Sequence, residues 1–169
     1  MLVDFAQLSS NKDQRPKTTK PVVVKLHRNV VSYGIEHDSK KNPGDIKIST
    51  SGLYVIIAAP QIGRLKGTKP RYIDFWLRVN GKDSVDSNIR INVLTKDHKD
   101  VIVNQTMMPF RQDDVINLMM SVEVPNEGLG IETFHPKGEP RIPSIIFSMH
   151  LVREWDQMIS KEKPREGVQ

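Results

Sequence analysis

From about residue 20 the chain is a succession of short runs in which apolar and polar residues alternate, with turn residues about every ten positions. A period of two suits a pleated strand and no helix, so this rhythm dictates an antiparallel all-β domain. The runs are "VVVKLHRNVVSYG", "GDIKISTSGLYVIIAAPQIG" (two strands broken near Ser51-Gly52), "RYIDFWLRVNG", "NIRINVLT", "DVIVNQTMMPF", "DVINLMMSVEV", "LGIETFHP" and "SIIFSMHLV". About nine or ten strands at this spacing predict a β-sandwich or jelly roll over residues 21–152. Residues 1–20 are expected to form an N-terminal arm, and residues 153–169 a charged tail with a short helix that stops before Pro164. A length of 169 residues suits one such domain with short tails.

The faces of the strands say more than their number. In "RYIDFWLRVNG", Ile73, Phe75, Leu77 and Val79 form a core face, while Tyr72, Asp74, Trp76 and Arg78 point the other way. The second set carries two large aromatics with polar tips among paired charges, which reads as an interface. "DVINLMMSVEV" and "SIIFSMHLV" repeat the theme, with Met119 and His150 on their mixed faces. If these three strands share a sheet, its second face is too apolar for water and a neighbouring subunit covers it. The alternative cover is one of the chain's own tails: Phe5 stands in the first, and Trp155, Met158 and Ile159 lie at helical spacing in the second.

Chemistry is sparse. The chain has no cysteine, so it has no disulfide framework, thiol nucleophile or thiolate metal site. Its five histidines are isolated, with no His-x-His to converge on an ion, and neither a nucleophile elbow nor a phosphate-cradling glycine loop occurs. No catalytic residue, metal or cofactor is expected. No apolar run approaches the roughly 20 residues of a membrane span, and the N-terminus lacks a signal-peptide pattern. The net charge of +5 admits an anionic partner. The densest basic cluster, Arg64, Lys66, Lys69 and Arg71 in "RLKGTKPR", reads as a solvated loop or as an anion or glycan contact. Arg15 and Lys17 in the arm, with Phe5 there and Trp155, Met158 and Ile159 in the tail, are candidates for docking on a partner.

"GDIKISTSGLYVIIAAPQIG", "RYIDFWLRVNG", "RQDDVINLMMSV" and "IPSIIFSMHLV" together resemble the jelly-roll module shared by complement globular heads and tumour necrosis factor-like proteins. Gly52 and Tyr54 fall at its Gly-x-Tyr, Asn80-Gly81 at the turn after a central strand, and Phe147-Ser148 in its last strand. Ile46, Ile56 and Ala58 replace its aromatics. "FAQLSSNKDQ" with "WLRVNG" and "IPSIIFS" is more similar to compact versions encoded by bacteriophages and other viruses. The resemblance implies a homotrimer with one sheet of each subunit turned toward its neighbours. It places Tyr72, Asp74, Trp76, Arg78, Met119 and His150 in that interface and the strands at 71–81, 114–124 and 144–152 in one inner sheet. The expected function is a non-enzymatic virion structural protein, a capsid decoration, cement or fibre-head module assembled in the host cytoplasm. A receptor- or glycan-binding head is the alternative. Expected partners are copies of itself, other virion proteins such as a shell or fibre, and a host-surface glycan; neither membrane nor nucleic acid is expected.

Overall fold

The computed structural model describes residues 2–155 and consists of two antiparallel sheets packed face to face. In chain order the strands are β1 (Phe5–Ser10), β2 (Val22–Val23), β3 (Arg28–Tyr33), β4 (Ile35–Glu36), β5 (Ile46–Ile48), β6 (Gly52–Gly63) and β7 (Arg71–Val79). They continue as β8 (Lys82–Asp83), β9 (Ile89–Val93), β10 (Asp100–Val101), β11 (Asn104–Phe110), β12 (Val115–Val122), β13 (Gly130–Ile131) and β14 (Ile145–Glu154). Fourteen segments stand where nine or ten were expected, because five of the fourteen are two-residue pieces (β2, β4, β8, β10 and β13) that alternation cannot reveal. The sandwich itself is as the alternation predicts, and its jelly-roll form is as the resemblance implies.

One sheet, which we term the terminal sheet, runs β3-β1-β14-β6-β11, with β10 and β13 also on β6. The other, the central sheet, runs β4-β5-β12-β7-β8, with β2 on β12 and β9 on β7. The alternating residues of both meet in one core, in which Leu8, Ile56, Phe75, Phe110 and Phe147 are at most 1% exposed. Each large side chain so buried contributes on the order of 1.5–3 kcal/mol. Tyr54 packs on Phe110 at 5.8 Å between ring centroids and donates its hydroxyl to the Thr50 carbonyl at 2.7 Å.

Two expectations are corrected by this layout. Residues 5–10 are not part of an arm outside the domain: they form β1, inserted between β14 and β3 with Phe5 opposite both His150 and Tyr33. Nor do the three two-faced strands share a sheet. β7 and β12 are neighbours in the central sheet, but β14 belongs to the terminal one. Trp155, at the end of β14, donates its backbone N–H to Ser51 at 2.9 Å. Met158 and Ile159 lie outside the described residues.

The β7–β8 turn is built on Asn80 (φ 49°) and Gly81 (φ 78°), both left-handed, which is the two-residue hairpin that an Asn-Gly pair favours. Among the described residues no helix is long and apolar enough to cross a membrane.

Candidate assembly interface

The second face of β7 and β12 is covered by its own chain. Trp76, 9% exposed, donates its indole N–H to Asp83 Oδ1 on β8 at 2.7 Å, and Arg78 Nε reaches the same oxygen at 2.8 Å. Arg78, then Trp76, hold the Asp83 carboxyl below its ordinary range by donating to its charged form. From β9, Arg90 places both nitrogens of its fork on Asp74 (2.8 and 2.9 Å) and lies over the Tyr72 ring, 3.7 Å from its centroid. On β12, Met119 sits between Trp76 and Val23 of the neighbouring strands and is 1% exposed. Beside it Asn117 donates to the Gly44 carbonyl (2.8 Å) and to Asp45 (2.7 Å). Among the described residues the cover thus comes from β8, β9 and residues 44–45. Tyr72, Asp74, Trp76, Arg78 and Met119 cluster there, away from His150.

The bare surface is the outer face of the terminal sheet. Its register aligns five side chains across five strands: Tyr33 on β3, Phe5 on β1, His150 on β14, Val55 on β6 and Met107 on β11. Phe5 is 37%, Tyr33 45% and Met107 56% exposed. Phe5 and Tyr33 stack at 6.4 Å, and the next row holds Val31, Gln7, Ser148, Ile57 and Gln105. Ile146 and Val152 extend the patch along β14. An apolar strip that crosses a whole sheet without a charged side chain in these two rows has the composition of a protein interface. His150 was assigned to an interface from the sequence and stands in this strip. Phe5, taken as a docking residue of a loose arm, is a fixed part of it. Phe5, Tyr33, Val55 and Met107 went unremarked as a set, although "FAQLSS" alternates as visibly as the later runs.

The basic cluster of residues 64–71 is not an open anion site. Arg64 is 1% exposed and spends its guanidinium on the carbonyls of Lys66 (2.9 Å), Lys69 (2.6 Å) and Val93 (3.1 Å) and on Glu127. Arg71 joins the same Glu127 at 3.3 Å and holds its carboxyl below the usual carboxylate range. Gly67 lies at φ 100°, where a Cβ would stand 2.1 Å from Arg64 Nη2, so this loop folds around the arginine only with glycine there. Lys66 and Lys69 remain exposed. Arg15 is likewise engaged within the chain, with Glu132 Oε1 at 3.0 Å and the Gly128 carbonyl at 2.5 Å, while Lys99 meets the other oxygen of Glu132. Lys17 is exposed. Glu127 and Glu132 lie 63 and 117 residues from Arg64 and Arg15, a separation over which one sequence gives no pairing signal. Among the described residues no group of three or more histidines and carboxylates is placed to hold a metal ion.

No protein-family model matches the chain, and no curated protein does. Solved structures do. Murine APRIL, a tumour necrosis factor-like protein, superposes with a TM-score of 0.55 at 11% identity, covering 89% of this chain and 100% of that one. The globular domain of zebrafish complement 1qA superposes with a TM-score of 0.56 at 10% identity, covering 90% of this chain and 99% of that one. At such identities the likeness is one of fold: the chain has the jelly roll of tumour necrosis factor-like and complement head domains along nearly its whole described length.

Proposed function

We propose that the chain is a non-enzymatic protein-binding module that assembles as a homotrimer through the outer face of its terminal sheet and serves on a virus particle as a capsid decoration, cement or fibre-head protein. The observation that carries the assembly is the strip Tyr33, Phe5, His150, Val55 and Met107, left bare across five strands by a chain that covers the opposite face of its sandwich with its own residues. The fold likeness supports a threefold arrangement, because the module it resembles turns one sheet of each subunit toward its neighbours. The particle role rests on the resemblance of "FAQLSSNKDQ", "WLRVNG" and "IPSIIFS" to compact virus-encoded versions. The glycan-binding alternative is weakened, since Arg64 and Arg71 are occupied within the chain.

The native mass of the purified chain tests the assembly: a species near three times 19.3 kDa is expected, and a stable monomer at micromolar concentration overturns it. The particle role is tested by mixing the chain with virus shells that lack it. Saturable binding is expected, and reproducible glycan-array signals without shell binding would replace this reading with the recognition head. Removal of the tail belongs after Trp155, since a cut after Val152 would also remove Arg153 and Glu154 from their pairing with β6. The truncated chain is expected to keep its native mass and lose shell binding.

A further inference from the structure

On the central sheet, the groove around β2 is lined by lysines that have no ion-pair partner among the described residues. Two adjoining hollows of about 480 and 410 Å³ share Val23, Lys25 and His27. Lys12, Lys17, Lys25, Lys40 and Lys41 line them, and none of the five is in an ion pair among the described residues. The two acids that line the hollows are engaged elsewhere, Asp13 with Arg15 and the Thr133 N–H and Asp45 with Asn117, while Asp38 beside them accepts from the backbone N–H groups of Lys40 and Lys41. Half-buried Val22 and Val23 supply an apolar floor, with Met120 fully buried beneath them. The positive field is felt by His27, whose pKa is held down by burial first and then by Lys12 and Lys25.

The edge of β2 adds a direction to this charge. β2 pairs with β12 on one side and with no strand on the other among the described residues. Val24 donates to the Leu118 carbonyl at 2.8 Å, so the alternation of an antiparallel ladder turns the N–H and C=O of Val23 and Lys25 away from β12. At Lys25 both groups are met by one side-chain amide: Gln14 Oε1 accepts from the Lys25 N–H (2.8 Å) and Gln14 Nε2 donates to the Lys25 carbonyl (2.7 Å). Gln14 thus does for Lys25 what the peptide group of a neighbouring strand would do, while the adjacent Val23 edge has no strand beside it.

We infer that the β2 edge and its lysine groove form a docking site for an extended, acidic peptide segment of a partner protein, added as a strand beside Val23 with its carboxylates on Lys12, Lys17, Lys25, Lys40 and Lys41. Strand addition takes affinity from main-chain bonds and specificity from alternate side chains. An apolar floor beneath separate ammonium groups suits alternating valine-like and glutamate-like residues, where a sulfated sugar or a nucleic-acid backbone would leave the floor unpartnered. The inference rests on the reading of the chain as a protein-binding module, but it uses the sheet opposite the assembly face.

The test is fluorescence anisotropy with the full chain and a labelled octapeptide of alternating Glu and Val. Saturable binding is expected, weakening at least about tenfold between about 50 and about 200 mM salt and by a similar factor in Lys25→Glu with Lys41→Glu. The native mass of that variant is expected to match the wild type, which separates failure of docking from failure of assembly. The same peptide with alternate backbone nitrogens methylated keeps every charge and loses the strand edge, so it is expected not to bind. Absence of binding to millimolar concentration, equal binding of the methylated peptide, or displacement of the peptide by a sulfated oligosaccharide at lower concentration would each overturn the inference.

Discussion

On the outer face of β7 and β12, Trp76 is 9% exposed with its N–H on Asp83, and Asp74 is 8% exposed under the fork of Arg90; on the outer face of β1, β6 and β14, Phe5 is 37% exposed with only Tyr33 stacked beside it. Both faces carry large apolar bodies. What separates them is polar equipment. The central sheet has β8 and β9 alongside, whose Asp83 and Arg90 satisfy the polar tips of Trp76 and Asp74, so the face can be closed within one chain. Among the described residues the terminal sheet has no such partner, and its strip is almost purely apolar. An aromatic pattern on a strand therefore does not by itself announce a subunit contact, because the acids and bases that could cover it decide the matter.

Breaking this contrast at its bare side has the largest expected effect. Val55→Asp puts a charge in the middle of the strip, beside His150 and Met107, and is expected to convert the assembly to a 19.3 kDa monomer while circular dichroism stays β-rich. An unchanged native mass would move the interface elsewhere. Trp76→Ala should do the reverse, costing about 3 kcal/mol of folding stability in denaturant titration with the native mass unchanged. Dissociation of the variant would restore β7 to the interface. A smaller loss of stability is expected in Arg90→Ala, and it should shrink as salt is raised because the Arg90 side chain is 58% exposed. Smallest is the effect of pH at His27. Its folded pKa is depressed below 6.5, so the unfolded chain binds more protons just below that value. The stability it contributes is complete above pH 6.5 and falls away as pH drops through the folded value. The thermal midpoint of the wild type should decline over this window more steeply than that of His27→Gln.

Much of the fold was legible because period-two alternation is a local property, and the turns between runs carry local signals such as Asn80-Gly81. Sheet membership was not. β14 has the same two-faced pattern as β7 and β12, but the strands beside it come from residues 5–10 and 52–63, and only long-range pairing assigns it to the terminal sheet. The candidate site was half visible for the same reason. His150 stood out as a polar residue on an apolar strand, but its neighbours Phe5, Val55 and Met107 become a row only through the register of four strands. The basic loop misled because charges counted along the chain omit Glu127, which reaches Arg64 and Arg71 from the segment that follows β12.

The position of β1 has a consequence in time. Leu8 is opposite Phe147, and β1 lies between β14 and β3, so the terminal sheet has a gap at its centre until residues 145–154 have been synthesised. Contacts of such sequence separation form late and slowly, since the loop they close must be ordered first. The strip of Tyr33, Phe5, His150, Val55 and Met107 therefore cannot exist before the chain has been made past His150. The face proposed for assembly is thereby completed only by the pairing of β14 with β1 and β6.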